Sequence, residues 1–313
     1  MKHRKLGKSG LDVSVVGLGC NNFGGRIGLE GSRLVINKAI ACGVTLFDTA
    51  DVYGDRGSSE TILGEVLGKR RHEVVIATKF GMGMDDSGRS RGASRGYIVS
   101  AAEASLRRLK TDWIDLYQLH AIDPQTPMEE TLRALDDLIR QGKIRYMGCS
   151  NVPAWQVADA HWIAKSLGIN GFISCQDEYS LLVRDVETAL IPATQAYGMG
   201  LLPYFPLASG MLTGKYERRK MPKDARLTET PRLAEKYMNE RNWNIVEALR
   251  SFTFAKGRSL LEASFSWLAA QPSVSSVIAG ATKPEQVEQN VAAVNWELTP
   301  DELSEIQKIV TAD

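Results

Sequence analysis

The sequence alternates between short apolar segments and longer amphipathic segments, and this alternation constrains the fold more than any other feature. A strand, a helix and a further strand in series are typical of parallel sheets, because parallel strands need a crossover connection. We predict eight strands, at residues 13–19, 45–48, 74–78, 114–119, 144–150, 172–176, 200–205 and 274–279.

Each predicted strand precedes a segment whose apolar residues recur at helical spacing. These helices are predicted at residues 33–42, 60–67, 97–109, 127–141, 153–167, 186–197, 259–270 and 284–294. A closed (β/α)8 barrel typically takes about 250 residues, which suits this chain. We therefore predict an α/β protein in which residues 1–313 form one TIM-barrel domain.

Three segments lie outside the repeated unit. Residues 2–13 are expected to form an N-terminal β-hairpin that closes the bottom of the barrel. Thr299, Pro300 and Glu302 form a capping box that predicts an extra C-terminal helix. The charged stretch 215–242 follows the seventh strand and is predicted as a long loop at the C-terminal face, where barrel enzymes bind their ligands.

Composition excludes several classes of partner. The formal net charge is +1 and both signs are interspersed, so nucleic acid and anionic membranes are not expected partners. A small-molecule partner fits better. No apolar stretch resembles a signal peptide or membrane span, so we expect a cytoplasmic protein. The sequence leaves the oligomeric state open.

The four cysteines predict neither a disulfide framework nor a metal site. Cys20, Cys42, Cys149 and Cys175 are widely spaced and form no CxxC or Cys/His cluster. Cys20, Cys149 and Cys175 lie at the ends of predicted strands. These thiols are either sensitive to oxidants or inert apolar side chains in the barrel wall. The wall position is favoured, and no metal is predicted.

Four polar side chains stand at or just after the ends of successive predicted strands. Asp48 ends the second strand, Lys79 the third and His120 the fourth, while Tyr53 follows Asp48 in a turn with Gly54. Singly, each has an ordinary structural explanation, such as a buried ion pair or a core aromatic. Together, four different types meeting at one barrel face favour catalysis.

These residue types suit the addition of hydride to a carbonyl group. The carbonyl oxygen becomes an alkoxide, which needs a hydrogen-bond donor and a proton. Tyr53 is the candidate acid, and the Lys79 ammonium is expected to lower the pKa of its phenol. Asp48 would hold Lys79, and a neutral His120 would position the substrate oxygen.

Three segments resemble the signatures of the aldo-keto reductase superfamily, including its members related to potassium-channel β subunits. They are LFDTADVYG at 46–54, IATK at 76–79 and DLYQLH at 115–120. The resemblance implies that Asp48, Tyr53, Lys79 and His120 form the family's catalytic tetrad. It also implies an NADPH-dependent enzyme that reduces an aldehyde or ketone to an alcohol.

The cofactor is not expected to bind in the Rossmann manner. Residues 17–22 begin like the GxGxxG motif, but Asn22 occupies the third glycine position. The resemblance instead implies a cofactor that lies across the barrel mouth. The implied contacts are Gly19, Ser150, Asn151, Gln176, Tyr204, Phe205, Pro206, Leu207, Ser209, Gly210, Leu212, Lys215, Gly280, Thr282, Lys283, Gln286, Gln289 and Asn290.

Within that set, Ser150, Asn151 and Gln176 resemble the family's residues that bind the nicotinamide carboxamide. Tyr204 resembles the aromatic residue that stacks on the nicotinamide ring. Lys283 puts a positive charge at the predicted start of a helix, which favours an anion such as the adenosine 2′-phosphate. Many aldo-keto reductases have arginine at the position of Gln286 and glutamate at the position of Gln289. We expect NADPH or NADP⁺, with NADH less favoured.

The substrate pocket is predicted from the loops around the tetrad. Its expected wall mixes aromatic and methionine side chains, which suits a bulky or varied carbonyl compound. The physiological substrate and the favoured direction stay open. The predicted wall residues are Asn22, Phe23, Val52, Phe80, Met82 and Ile122.

Two alternatives belong to other functional classes. The first is a non-catalytic NADP-sensing partner protein that resembles potassium-channel β subunits. The second is a phosphate-handling barrel with unrelated chemistry, which the four polar residues do not support. Turnover of a generic aldehyde separates the enzyme from the sensor.

Overall fold

The computed structural model describes residues 1–218, 221–223 and 225–312. An antiparallel hairpin of β1 (His3–Lys5) and β2 (Asp12–Ser14) precedes eight parallel strands. These are β3 (Val16–Gly19), β4 (Leu46–Asp48), β5 (Val75–Phe80), β6 (Ile114–Leu119), β7 (Ile144–Ser150), β8 (Phe172–Glu178), β9 (Gly200–Tyr204) and β10 (Val277–Gly280).

The parallel strands form a barrel. They neighbour one another in chain order from β3 to β9, and β10 pairs with β3. At the remaining edge, the Leu201 amide donates to the Ser273 carbonyl at 2.8 Å and the Ser275 amide donates to the Leu201 carbonyl at 3.0 Å. These bonds join β9 to the segment before β10, so the predicted (β/α)8 TIM barrel is confirmed.

Twelve α-helices lie in the part of the chain that the structure describes. They are α1 (Leu29–Ala41), α2 (Tyr53–Leu67), α3 (Arg95–Leu109), α4 (Met128–Arg140), α5 (Ala154–Leu167), α6 (Leu190–Tyr197), α7 (Arg226–Glu229), α8 (Pro231–Tyr237), α9 (Glu240–Ala255), α10 (Leu260–Ala270), α11 (Pro284–Ala292) and α12 (Pro300–Thr311). None of these helices has the length and apolar character that a membrane span requires.

The barrel has an apolar interior that the N-terminal hairpin closes. Leu46, Leu116 and Leu202 from three strands pack inside, and Leu6 and Val13 from the hairpin join the same cluster with no exposed surface. The Lys8 amide donates to the Gly198 carbonyl just before β9, which places the hairpin at the N-terminal end of the strands. The opposite end is therefore left for ligands.

The sequence predicted the capped start of the C-terminal helix correctly but not the bounds of the first barrel strand. The capping box of α12 is present, since the Glu302 amide donates to Thr299 Oγ1 at 3.2 Å and the Thr299 amide donates to Glu302 at 2.9 Å. The predicted first strand 13–19 was wrong as one element, because Val13 belongs to the hairpin and the barrel strand starts at Val16.

The stretch 215–242 is largely helical rather than a plain loop. It contains α7, α8 and the start of α9, while residues 219, 220 and 224 lie outside the described residues. The Asn239 side chain caps α9 by accepting a hydrogen bond from the Asn242 amide. Trp243, Val246 and Leu249 then give α9 a buried face, a spacing that the sequence analysis overlooked.

Candidate active site

The structure brings the four predicted catalytic residues to the C-terminal end of the barrel. Asp48 is the last residue of β4, Lys79 lies one residue before the end of β5, and His120 directly follows β6. Tyr53 begins α2 just beyond β4. Because neighbouring parallel strands end at the same edge, residues far apart in sequence meet here.

Asp48 and Lys79 form a buried ion pair. The Lys79 Nζ lies 2.8 Å from both carboxylate oxygens of Asp48 and donates to the Thr49 carbonyl at 2.9 Å. Burial opposes the charge on Lys79, but the neighbouring Asp48 and Tyr53 outweigh it and raise the lysine pKa. The lysine is therefore a fixed ammonium below the surface of the site.

Tyr53 lies over this ammonium, with Lys79 Nζ 5.1 Å from the centre of its ring. Burial raises the pKa of the phenol, and Lys79 is the main influence that lowers it again. The expected direction of the lysine effect is present, but burial is the larger contribution, so the phenol pKa ends above its ordinary value. A phenol in this state holds its proton and is suited to donate it.

His120 lies edge-on to Tyr53, with ring centres 5.7 Å apart and planes at 82°. Burial, assisted by the nearby Lys79 charge, lowers the histidine pKa to about 3. The imidazole is neutral near pH 7 and so has one donor and one acceptor nitrogen. A neutral donor next to a protonated phenol can hold a substrate oxygen by two hydrogen bonds.

A network of amides links these residues to the neighbouring strands. Gln176 Nε2 donates to Asp48 Oδ1 at 2.8 Å, and Ser150 Oγ donates to the Gln176 carbonyl at 2.8 Å. Asn151 adopts a left-handed backbone conformation with φ 56°. The side-chain Nδ2 of Asn151 donates to the His120 carbonyl at 3.0 Å, and its Oδ1 accepts from the Tyr204 hydroxyl at 2.8 Å.

The four residues stand beside a cavity of about 680 Å³ that extends across the barrel mouth. Asp48, Tyr53 and His120 line it, whereas Lys79 lies behind them with no exposed surface. Most of the predicted cofactor and substrate positions also line it. They are Gly19, Asn22, Met82, Ser150, Asn151, Gln176, Tyr204, Phe205, Pro206, Leu207, Ser209, Gly210, Lys215, Gly280, Thr282, Gln286, Gln289 and Asn290.

Several predicted substrate and cofactor contacts do not line the cavity. Phe23 and Phe80, predicted for the substrate pocket, and Leu212, predicted for the cofactor, are fully buried in the apolar core. Val52 and Ile122 of the predicted pocket are partly buried and also lie outside the cavity wall. The sequence indicated segments near the mouth but not which of their side chains line the cavity.

The start of α11 differs from the predicted phosphate site. Lys283, not Thr282, is the N-cap residue, and its exposed side chain does not line the cavity. Gln286 Oε1 accepts from the Thr282 amide at 2.7 Å and from the Lys283 amide at 3.2 Å. The Gln286 side-chain oxygen therefore accepts from two backbone N–H groups that would otherwise be available to an anion at the helix start.

Among the residues that the structure describes, three cations line the cavity, and only Lys215 of these was predicted from the sequence. Arg26 comes from the loop before α1 and Arg226 from α7. Burial and the mutual proximity of these cations lower the pKa values of Lys215 and Arg226. Isolated arginines in loops carry no periodic signal, so the sequence gave no reason to group them.

The cavity fits a dinucleotide. Its wall combines an amide cluster near the tetrad, the cationic group and the backbone of Gly19, Gly210 and Gly280. Ser209 Oγ is also buried there with no hydrogen-bond partner. Anionic phosphates and a polar carboxamide match these groups.

Comparison with known proteins decides the family. The Aldo/keto reductase family profile matches residues 15–311. The chain belongs to the aldo/keto reductase family. This confirms the resemblance drawn from the three sequence segments, and it makes the protein an oxidoreductase that works with a nicotinamide cofactor.

The aldo/keto reductase relatives carry names from two functional classes. A probable voltage-gated potassium channel subunit beta from Oryza sativa subsp. japonica is 37% identical, over 99% of this chain and 97% of its own. L-glyceraldehyde 3-phosphate reductase from Escherichia coli (strain K12) is 35% identical, over 94% and 88%. Versiconal hemiacetal acetate reductase from Aspergillus parasiticus is 33% identical, over 98% and 96%.

In the residues that the structure covers, no group of three His, Cys, Asp or Glu side chains is arranged to hold a metal ion.

Cys149 and Cys175 are adjacent on β7 and β8 with their sulfurs 3.6 Å apart, and both are fully buried. Burial raises the pKa of the Cys149 thiol, helped by the hydrogen bond to Cys175. This environment is that of inert wall residues.

Proposed function

We propose that this protein is an NADPH-dependent aldo-keto reductase that reduces an aldehyde or ketone to an alcohol, with Tyr53 as general acid. The carrying observation is the arrangement of the protonated Tyr53 phenol, the neutral His120 and the Asp48–Lys79 pair at one end of a dinucleotide-sized cavity. The direction is reversible, because the same groups serve alcohol oxidation.

The chain's own residues perform the proton chemistry. The bound nicotinamide supplies the hydride to the carbonyl carbon. Tyr53 donates its hydroxyl proton to the carbonyl oxygen as negative charge develops there, and His120 holds that oxygen in place. Lys79 stabilises the phenolate that remains, and Asp48 keeps Lys79 charged and oriented.

Three parts of the cavity wall are proposed to hold the cofactor. Ser150, Asn151 and Gln176 present amide and hydroxyl groups next to the tetrad, where the carboxamide belongs. The cationic group of Arg26, Lys215 and Arg226 suits the pyrophosphate. The adenosine is assigned to the wall formed by Thr282, Gln286, Gln289 and Asn290.

NADPH is proposed over NADH because Lys283, the residue after the cavity-lining Thr282, has an exposed cationic side chain that is available to a 2′-phosphate. Lys283→Ala should raise the KM for NADPH about tenfold and leave that for NADH unchanged, as expected for one charge-assisted contact. Lys215→Ala should raise both, because both cofactors carry the pyrophosphate. Equal effects of Lys283→Ala on both cofactors would remove the 2′-phosphate assignment.

The substrate is proposed to be a bulky or varied carbonyl compound. The names of two relatives specify different compounds, L-glyceraldehyde 3-phosphate and versiconal hemiacetal acetate. Met82 is 39% exposed at the cavity and offers a flexible apolar surface, while Asn22 adds a polar one. A single domain and a cytoplasmic location remain predictions.

The alternative is a cofactor-sensing partner protein, and the relatives named as channel β subunits favour keeping it. Both functions require cofactor binding, so turnover separates them. The sensor is supported if purified protein binds NADPH tightly but oxidises it with no member of a broad carbonyl panel.

The decisive experiment compares wild type with Tyr53→Phe, using NADPH and 4-nitrobenzaldehyde. The variant should lose at least about 100-fold in kcat, the scale of a lost general acid. Its NADPH dissociation constant, measured by fluorescence titration, should stay within about twofold. Undiminished turnover in Tyr53→Phe would overturn the proposed role of the phenol.

A further inference from the structure

Helix α5 carries two tryptophans that face solvent. Trp155 is 68% exposed and Trp162 is 55% exposed. Positions seven residues apart share one face of a helix, so both indoles lie on the same side. Exposed tryptophan pairs are uncommon on monomeric proteins and are enriched where proteins bind one another. Other exposed large apolar side chains, such as Phe254 and Leu34, lie on different helices.

Neighbouring side chains hold the Trp162 indole in place. His161 stacks on Tyr197 of α6 with ring centres 4.3 Å apart, and it meets Trp162 edge-on at 5.5 Å. The Lys165 ammonium lies 4.7 Å from the centre of the Trp162 ring. An aromatic side chain fixed outward in this way loses little conformational entropy when it binds.

On the side of α5 that packs against α6, the neighbouring surface is apolar and uncharged. Helix α6 contains no charged residue, and its Pro192 and Ala196 are exposed. We define the α5–α6 face by Trp155, Trp162, Pro192 and Ala196. An interface centre of this kind, poor in charge and rich in tryptophan, matches the composition of binding sites between proteins.

Two opposite charges flank the centre of this face. Asp159 and Lys165 are both exposed and lie three residues before and after Trp162. In helical projection they fall on opposite sides of the indole. Neither side chain has an ion-pair partner within the described chain. The face therefore has an acidic flank and a basic flank around an aromatic centre.

We propose that the α5–α6 face binds a second copy of this chain about a two-fold axis beside Trp162. With the two α5 helices crossing steeply, the axis brings each Asp159 next to the Lys165 of the other copy. A surface with both charges at equal spacing from its centre is complementary to itself, as an isologous dimer requires. No residue of α5 lines the active-site cavity, so both barrel mouths stay open.

A charge-swap experiment tests the dimer by analytical ultracentrifugation. Asp159→Lys alone and Lys165→Asp alone should each weaken dimerisation at least about tenfold, because like charges then face each other across the axis. The two single variants mixed together should form a heterodimer, and the double variant Asp159→Lys/Lys165→Asp should dimerise like wild type. Glu129→Lys on α4 is the control and should leave dimerisation unchanged.

The circular dichroism spectrum and NADPH turnover of each variant serve as folding controls, and both should match wild type. A wild-type protein that stays monomeric up to about 100 µM overturns the proposal. Single reversals that dimerise as well as wild type overturn it too, and so does a mixture that fails to associate. Restored association in the mixture and in the double variant supports it.

Discussion

His120 illustrates at the residue scale how burial sets a charge state. Its pKa is lowered to about 3 by burial and by Lys79, so the imidazole is neutral at every pH above that value. We predict that kcat/KM for carbonyl reduction shows no ionisation assignable to His120 between about pH 5 and 8, where an ordinary histidine titrates. A break near pH 6.5 that disappears in His120→Gln would contradict this.

Lys79 has a measurable effect on the phenol of Tyr53. Burial raises the pKa of Tyr53, and Lys79 opposes that rise, so Lys79→Met should raise it further. Alcohol oxidation needs the phenolate as base. The variant should therefore lose more activity near pH 7 than near pH 10, by about tenfold in a pH–rate profile. A uniform loss at every pH would count against the role.

Lys79→Met also leaves the Asp48 carboxylate buried without its partner, which can destabilise the fold. The double variant Asp48→Asn/Lys79→Met separates the two effects, because it removes both charges. It should recover thermal stability relative to the single variant but keep part of the pH-dependent loss, because the Asp48 charge that raises the phenol pKa is removed together with the lysine that lowers it. Full recovery of wild-type activity at pH 7 along with stability would show that only the fold was affected.

The sequence predicted where the polar strand ends meet but not which side chains reach the cavity. Asp48 ends β4, Lys79 is next to the last residue of β5 and His120 directly follows β6, and a parallel barrel brings these positions together whatever the loops do. Phe23 and Phe80 were assigned to the pocket by position, yet both are buried in the core. Phe80 follows Lys79 in β5, and successive side chains of a strand lie on opposite faces. Phe23 lies in an irregular loop, where side-chain direction depends on backbone angles that no residue pattern encodes.

At the scale of elements, the irregular first turn of α2 holds Tyr53 in place. Gly54, Asp55 and Arg56 all have left-handed backbone conformations with φ near 60°. A Cβ on Gly54 would lie 2.1 Å from the Phe23 carbonyl oxygen, which is far below contact distance. The turn therefore requires glycine at this position.

Gly54→Ala is predicted to lower both the melting temperature and kcat. The added methyl group must push the turn away from the Phe23 carbonyl, and strain of this kind costs about 1–3 kcal/mol. Gly25→Ala is the matched control, because a Cβ there meets nothing within 4 Å. Thermal unfolding and turnover of both variants check this, and a Gly54→Ala enzyme indistinguishable from Gly25→Ala would refute it.

Elements with a regular apolar period were predicted well, and those shaped by tertiary contacts were not. Helix α10 follows its predicted bounds because Ser259 and Glu262 form a capping box that local sequence specifies. The predicted strand at 13–19 failed because an apolar run does not reveal where a hairpin strand passes into a barrel strand. Helix α6 is shorter than predicted, since a 3₁₀ turn at Asp185–Glu187 precedes it.

For the whole molecule, the barrel separates stability from ligand binding. The hairpin residues Leu6 and Val13 seal the N-terminal end, and the cavity occupies the C-terminal end. An ion pair lies beside the mouth, where Arg26 lines the cavity and its Nη2 lies 2.7 Å from Glu229 Oε2. Arg26 precedes α1 and Glu229 ends α7, so the pair connects two loops that are far apart in sequence.

This ion pair is predicted to slow release of the cofactor rather than to stabilise the fold. Its side chains are 42% and 48% exposed, and an exposed pair contributes only about 0.2–1 kcal/mol. Glu229→Gln should therefore speed NADP⁺ dissociation by about twofold to fivefold in stopped-flow fluorescence. This increase in the dissociation rate should shrink at high salt, which already screens the pair in wild type.

Glu129→Gln is the control, because it breaks a similarly exposed pair with Arg133 on α4 that does not line the cavity, and it should leave the dissociation rate unchanged. Equal rates in wild type and Glu229→Gln at low salt would mean that the two loops open independently of this contact.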